Sequence, residues 1–161
     1  MKKELLHKRK LRVGDKAPNF ILLDQNNQEV HLRDIIGKNG LILFFYPKDD
    51  TRGCTIQVCM FRDKYDLFLD KGFNVVGISS DSVSSHVDFS SRNNIPFQLL
   101  SDINKTVRKL YQAESLLGLI PKRVTYIIDK KFIIRDIFSS QFNISDHIER
   151  TSYTVNLIHM I

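Results

Sequence analysis

A chain of 161 residues with 42% hydrophobic and 26% charged residues, 7 Gly and 4 Pro has the composition of one compact domain, which excludes disordered, collagen-like and low-complexity architectures. Its net charge of +6 is concentrated at the start, where Lys2, Lys3, Lys8, Arg9 and Lys10 stand against Glu4. Residues 1–10 are therefore expected to be a basic, mobile tail and residues 11–161 a near-neutral single domain with no nucleic-acid role.

The chain then reads in order. Val13-Gly14-Asp15-Lys16-Ala17-Pro18 is a loop, and Phe20 to Asp24 and Glu29 to Leu32 alternate as a hairpin around Gln25-Asn26-Asn27. Leu41 to Tyr46 is continuously apolar, the pattern of a strand buried on both faces. At six residues it is also the longest apolar run, whereas roughly 18 are needed to cross a bilayer. With no apolar signal region at the N-terminus, no membrane association and a cytoplasmic location are expected. Pro47 ends the strand, and Asp49-Asp50-Thr51 supply helix N-cap chemistry. Cys54, Val58, Phe61, Tyr65 and Phe68 then mark one face of a helix that Gly72 stops. Phe73 to Ser79 is a second buried strand, completing a βαβ unit. Beyond it come a helix from Val83 to Arg92, a strand near Phe97 to Leu100 and a short helix over about Asn104 to Tyr111. A hairpin of Arg123 to Asp129 and Phe132 to Phe138 turns at Lys130-Lys131, and a last helix starts near Ser145. This alternation gives an α/β class with a central mixed sheet flanked by helices and an N-terminal hairpin.

Chemistry in such a sheet collects where strand ends meet helix starts. Cys54 stands there, eight residues past the buried strand. With Thr51 as N-cap it occupies the third helical position, beside backbone N–H groups that lack an intrahelical acceptor. These donors and the helix dipole favour a thiolate, which lowers a cysteine pKa from about 8.5 into a range of roughly 3.5–7.5. Gly53 leaves room beside the sulfur for a small substrate. A structural cysteine on the apolar face with Val58 and Phe61 is the other reading, and position alone leaves both open.

Cys59 narrows the choice. On an intact helix two residues five apart have Cα atoms about 8.7 Å from each other, beyond the roughly 4.4–6.8 Å that a disulfide spans. The pair suits a switch in which the helix start opens, and makes a poor static staple. A structural zinc site wants four ligands, usually with Cys-x2–4-Cys spacing, and beyond the two cysteines the histidines His7, His31, His86, His147 and His159 are scattered singly. No metal is expected.

Pro47-Lys48-Asp49-Asp50-Thr51-Arg52-Gly53-Cys54 resembles the Pro-x-x-x-Thr-x-x-Cys signature of the peroxiredoxins. The longer run FFYPKDDTRGCTIQVCMFRD is similar to their Q-type (bacterioferritin-comigratory-protein) subfamily, as are VGDKAPNFILLDQNNQEVHL, VVGISSDSVSSH, LLSDINKTVRKLY and RVTYIIDK with a later Asp146-His147. The resemblance implies a thioredoxin-like fold and reduction of hydrogen peroxide and organic hydroperoxides without metal or organic cofactor. It implies Cys54 as the peroxidatic and Cys59 as the resolving cysteine, joined in a disulfide that thioredoxin or a similar dithiol reduces. Thr51 matches the hydroxyl that bonds sulfur and peroxide, Pro47 the residue shielding the site, and Arg123 the active-site cation. A monomer is expected, in the cytoplasm or, for a plastid-bearing source, the plastid stroma. Arg52 stands where the subfamily usually has Pro, which eases opening of the helix start. Gln57 replaces a common Glu, removing a carboxylate that would oppose a thiolate. The alternative is a thioredoxin-type thiol–disulfide oxidoreductase, although that class uses Cys-x-x-Cys.

Overall fold

The computed structural model describes residues 9–115 and 120–161. The expected basic tail lies outside the described residues as far as residue 8. Arg9 pairs with Asp15 at 2.7 Å, and its carbonyl accepts from Gln112 Nε2 at 3.1 Å.

The elements are β1 (Ile21–Leu23), β2 (Glu29–His31), α1 (Leu32–Ile35), β3 (Gly40–Phe45), α2 (Arg52–Asp70), β4 (Phe73–Ser79), α3 (Val83–Arg92), β5 (Leu99–Ser101), α4 (Thr106–Leu110), β6 (Val124–Asp129), β7 (Ile134–Ser139) and α5 (Ile144–His159). The strands form one sheet in the order β2-β1-β5-β4-β3-β6-β7. β3–β4 and β4–β5 are parallel and the remaining pairs antiparallel, the mixed sheet and N-terminal hairpin of a thioredoxin-like fold.

β3 lies at the centre, buried throughout, because it is apolar on both sides of the pleat. Leu41, Leu43 and Phe45 join Leu32, Ile35, Val107 and Tyr111 in one core. Ile42, Phe44 and Tyr46 face Val58, Phe61, Phe89, Ile148 and Val155 in the other, with Phe44 stacked on Phe61 at 4.4 Å. A buried apolar side chain contributes about 1.5–3 kcal/mol, so Val58, Phe61 and Phe68 pin α2 firmly from its second turn onward. The turn before them buries only Cys54 and Gln57. Gly72 ends α2 at φ +79°, a conformation that glycine adopts without strain.

Some boundaries differ from the sequence reading. The strand expected to reach Leu32 stops at His31, because α1 begins there and the Asp34 carboxylate accepts the His31 N–H at 3.1 Å. The helix expected from Asn104 starts at Thr106, where Asp102 accepts the N–H groups of Val107 and Arg108 at 3.2 and 2.7 Å. Among the described residues no helix is long and apolar enough to cross a membrane.

Candidate active site

β3 delivers the chain to a loop that is fastened before α2 begins. Arg108 Nη2 donates to the Tyr46 carbonyl at 2.7 Å, immediately ahead of Pro47. Asp49 is buried and gathers the Tyr46 hydroxyl at 2.6 Å, the Ser85 hydroxyl at 2.8 Å and His86 Nδ1 at 2.6 Å. Its own N–H donates to Asp81 at 2.8 Å. Burial, then the Asp49 charge, push the Tyr46 hydroxyl well above its ordinary pKa and keep it a donor. Asp49, Asp81 and His86 converge as metal ligands would, but these hydrogen bonds already occupy them in holding the loop. Asp50 adopts φ +62° and pairs with Arg92 at 2.7 Å.

α2 starts where the sequence placed it, with Thr51 as N-cap in extended conformation. The Thr51 hydroxyl donates to the Lys48 carbonyl at 2.9 Å and makes no hydrogen bond to Cys54 among the described residues. Thr55 is the first residue whose N–H reaches back within the helix, to the Thr51 carbonyl at 2.9 Å. The N–H groups of Gly53 and Cys54 thus remain open beside the sulfur, the anion-binding end of a helix.

Cys54 is 1% exposed, packed with Tyr46, Val58 and Phe61. That apolar setting alone suits an inert thiol, but a cation stands against it. Arg123, buried at 5% exposure, directs Nη1 at Cys54 Sγ from 3.6 Å and at Gln57 Oε1 from 2.5 Å. The strand register puts it there: Phe45 pairs with Val124, so Arg123 lies beside the end of β3. Gln141 holds it from the far side, its Oε1 accepting from Arg123 N at 3.2 Å and its carbonyl from Nε at 3.3 Å. A Cβ on Gly53 would stand 3.3 Å from Arg123 Nη2 and 3.2 Å from Ile144 Cδ1, so the missing side chain is what lets the guanidinium lie across the helix start.

Cys59 is half-buried one turn further on, its sulfur 3.8 Å from Asn93 Oδ1. Burial pushes its thiol pKa up, so it remains protonated at neutral pH. Both cysteines are free thiols on one intact helix.

The structure therefore brings Cys54, Gly53 and Arg123 together, with Pro47 and Thr51 on the adjoining loop and Cys59 apart. Gln57 was noted in the sequence only as a neutral replacement, although its place three residues after Cys54 puts it on the same helical face. Gln141 carried no signal, and Arg108 and His147 lay in stretches that carry the resemblance without a role read for them, because strand register and buried contacts recruit all three.

A free cysteine at a helix start, at the carboxyl end of a central strand in this sheet, marks the thioredoxin-like proteins that do thiol chemistry. The chain belongs to the AhpC/TSA family, whose model matches residues 13–137, and its relatives there are peroxiredoxins of the Q type. It is 43% identical over 143 residues to a chloroplastic peroxiredoxin Q of Triticum aestivum, covering 88% of this chain and 65% of that one. The corresponding Sedum lineare protein is 42% identical, with 76% of its length covered. Among solved structures, the peroxidoxin BcpB of Mycobacterium tuberculosis superposes with a TM-score of 0.86 at 34% identity, over 92% of this chain and 98% of that one. The chain thus spans about two thirds of the length of the wheat relative.

Proposed function

We propose that the protein is a thiol peroxidase in which Cys54 reduces hydrogen peroxide or an organic hydroperoxide and Cys59 resolves the product. The observation that carries this reading is the Arg123 guanidinium 3.6 Å from the Cys54 sulfur, which is otherwise packed among Tyr46, Val58 and Phe61. A charge so placed favours thiolate over thiol and stabilises the negative charge that develops on the peroxide as the O–O bond stretches.

The Cys54 thiolate attacks one peroxide oxygen, the O–O bond breaks, and the departing alkoxide or hydroxide takes a proton to leave as alcohol or water. Cys54 becomes a sulfenic acid. The open N–H groups of Gly53 and Cys54 and Gln57 Nε2, which has no partner among the described residues, are donors around the oxygen that stays. The first turn of α2 then opens, the Cys59 sulfur attacks that of Cys54, and water leaves as the disulfide forms. A dithiol of the thioredoxin kind restores both thiols by exchange, becoming a disulfide itself. Pro47 shields the sulfur and Thr51 offers its hydroxyl oxygen to the substrate. The chloroplastic names of its relatives support a plastid stroma as the setting, with the cytoplasm as the other compartment that keeps such thiols reduced.

The test is stopped-flow peroxide consumption. Cys54→Ser should consume none, and turnover at the wild-type rate would end the proposal. Cys59→Ser should reduce one equivalent and then stall with thioredoxin; continued cycling would remove Cys59 from the resolving role. Mass spectrometry after one equivalent of peroxide should find a Cys54–Cys59 bridge in the unmodified chain.

A further inference from the structure

Behind Arg123 lies a buried histidine that the reaction above does not use. His147, in the first turn of α5, is wholly buried. Its Nε2 faces the Ser140 carbonyl at 2.8 Å and its Nδ1 the Thr125 hydroxyl at 2.8 Å. A carbonyl only accepts, so Nε2 carries the proton, and the neutral ring takes the Thr125 hydroxyl proton on Nδ1. The Phe138 ring stands edge-on to it at 4.8 Å. The charges that act on the ring are those of Arg123, just before β6, and Asp146 on its own helix. Arg150 lies over the far side of Phe138 and is paired with Asp136 of β7. The ring therefore ties three elements at one corner: β6 through Thr125, the end of β7 through Ser140, and α5 through its own backbone.

That corner is what holds the guanidinium. Ser140 precedes Gln141, and Gln141 supplies two of the acceptors that fix Arg123. Thr125 is two residues along β6 from Arg123 and so projects from the same face of the strand.

We propose that His147 is a positioning residue for Arg123, its clip on the Ser140 carbonyl setting where Gln141 holds the guanidinium relative to the Cys54 sulfur. The inference rests on the role given to Arg123 above. Displacement of a catalytic group by about 1 Å can cost on the order of 10²-fold in rate, so a clip of this kind is felt at the sulfur although His147 touches neither cysteine nor substrate.

The experiment measures the single-turnover rate of hydrogen peroxide with reduced protein, in full-length variants whose thermal unfolding is recorded alongside. His147→Phe keeps a ring against Phe138 and loses both hydrogen bonds; the expected rate falls roughly tenfold. His147→Asn has an amide long enough for Thr125 but too short for Ser140, and should be as slow; it carries the test if the Phe variant does not fold. His147→Gln can donate to Ser140 and should restore most of the rate, whatever its melting temperature. The His147→Asn/Arg123→Ala double variant should be no slower than Arg123→Ala alone, since both act through one group. A wild-type rate in His147→Asn, no rescue by Gln, or additive losses in the double variant would overturn the proposal while leaving Arg123 its role. A wild-type rate in Arg123→Ala is a different result, and removes the cationic role on which this inference depends.

Discussion

The Arg123 guanidinium reaches the Cys54 sulfur and the Gln57 carboxamide through the same nitrogen, so the group that steadies it carries no charge of its own. A carboxylate in that place would neutralise part of the field that the sulfur receives. Gln57→Glu should therefore slow both iodoacetamide alkylation of Cys54 at neutral pH and its reaction with peroxide. Arg123→Ala removes the cation altogether, and loss of one such charge-stabilising donor costs about 10²–10³-fold; stopped-flow rates check both. Gly53→Ala presses a methyl group onto Arg123 and Ile144 and should slow the peroxide step more than it lowers the melting temperature. His147 gives a stability prediction with a definite sign. Burial, and then the Arg123 charge, lower its pKa below the ordinary value of 6.5. The unfolded chain thus binds the proton more readily, and stability rises with pH across that interval. The contribution is complete above about pH 6.5 and is lost as pH falls through the folded value. Denaturant midpoints from pH 7.5 to 5 should decline less steeply in His147→Gln than in the unmodified protein.

At the scale of elements, α2 is held unevenly. Val58, Phe61 and Phe68 fasten its body, while the turn before them rests on Cys54 and Gln57. Opening of that turn exposes little apolar surface, so the proposed Cys54–Cys59 disulfide would leave the rest of the helix folded. Arg52 is the first helical residue, and Thr51 before it is extended, with φ −82° and ψ 147°. Proline suits the first helical position, and the residue before a proline prefers that extended region. Arg52→Pro should therefore raise stability by about 0.4–1 kcal/mol in urea unfolding. It should also slow disulfide formation after the sulfenic acid appears, with the peroxide step itself little changed. Equal rates of disulfide formation in both proteins would show that opening does not begin at Arg52.

Across the whole molecule, one buried polar cluster fastens the loop between β3 and α2 to three other elements. Asp49 joins Tyr46 at the end of β3, Ser85 and His86 on α3, and Asp81 after β4. Removing the Asp49 carboxylate leaves the buried Tyr46 hydroxyl, the Ser85 hydroxyl and His86 Nδ1 without their shared partner, and each buried polar group left unsatisfied costs roughly 1–3 kcal/mol. Asp49→Ala should therefore unfold at markedly lower denaturant. Asp49→Ala/His86→Leu should lose less than the two single variants combined, because they share one interaction.

The order of strands and helices and the place of Cys54 were open to reading because they rest on local rules. Continuous apolarity marked β3, helical spacing from Cys54 to Phe68 marked α2, and cap chemistry marked its start. Cys59 was visible for the same reason, since five residues along a helix is a distance that geometry supplies. The short helix α1 was not visible, because four residues give too little periodicity to separate them from the strand they follow. Nor were Gln141, His147 and Arg108 legible as supports of the site. Gln141 reaches Arg123 across 18 residues, His147 reaches Thr125 across 22 and Arg108 reaches Tyr46 across 62, through contacts that exist only once the strands are in register and the helices have packed on them. Sequence determined which sulfur stands at the helix mouth, because a turn of helix is decided by its own few residues. Tertiary structure decided which charge meets that sulfur and what keeps it there, because a hydrogen bond forms between whichever groups packing brings within 3 Å.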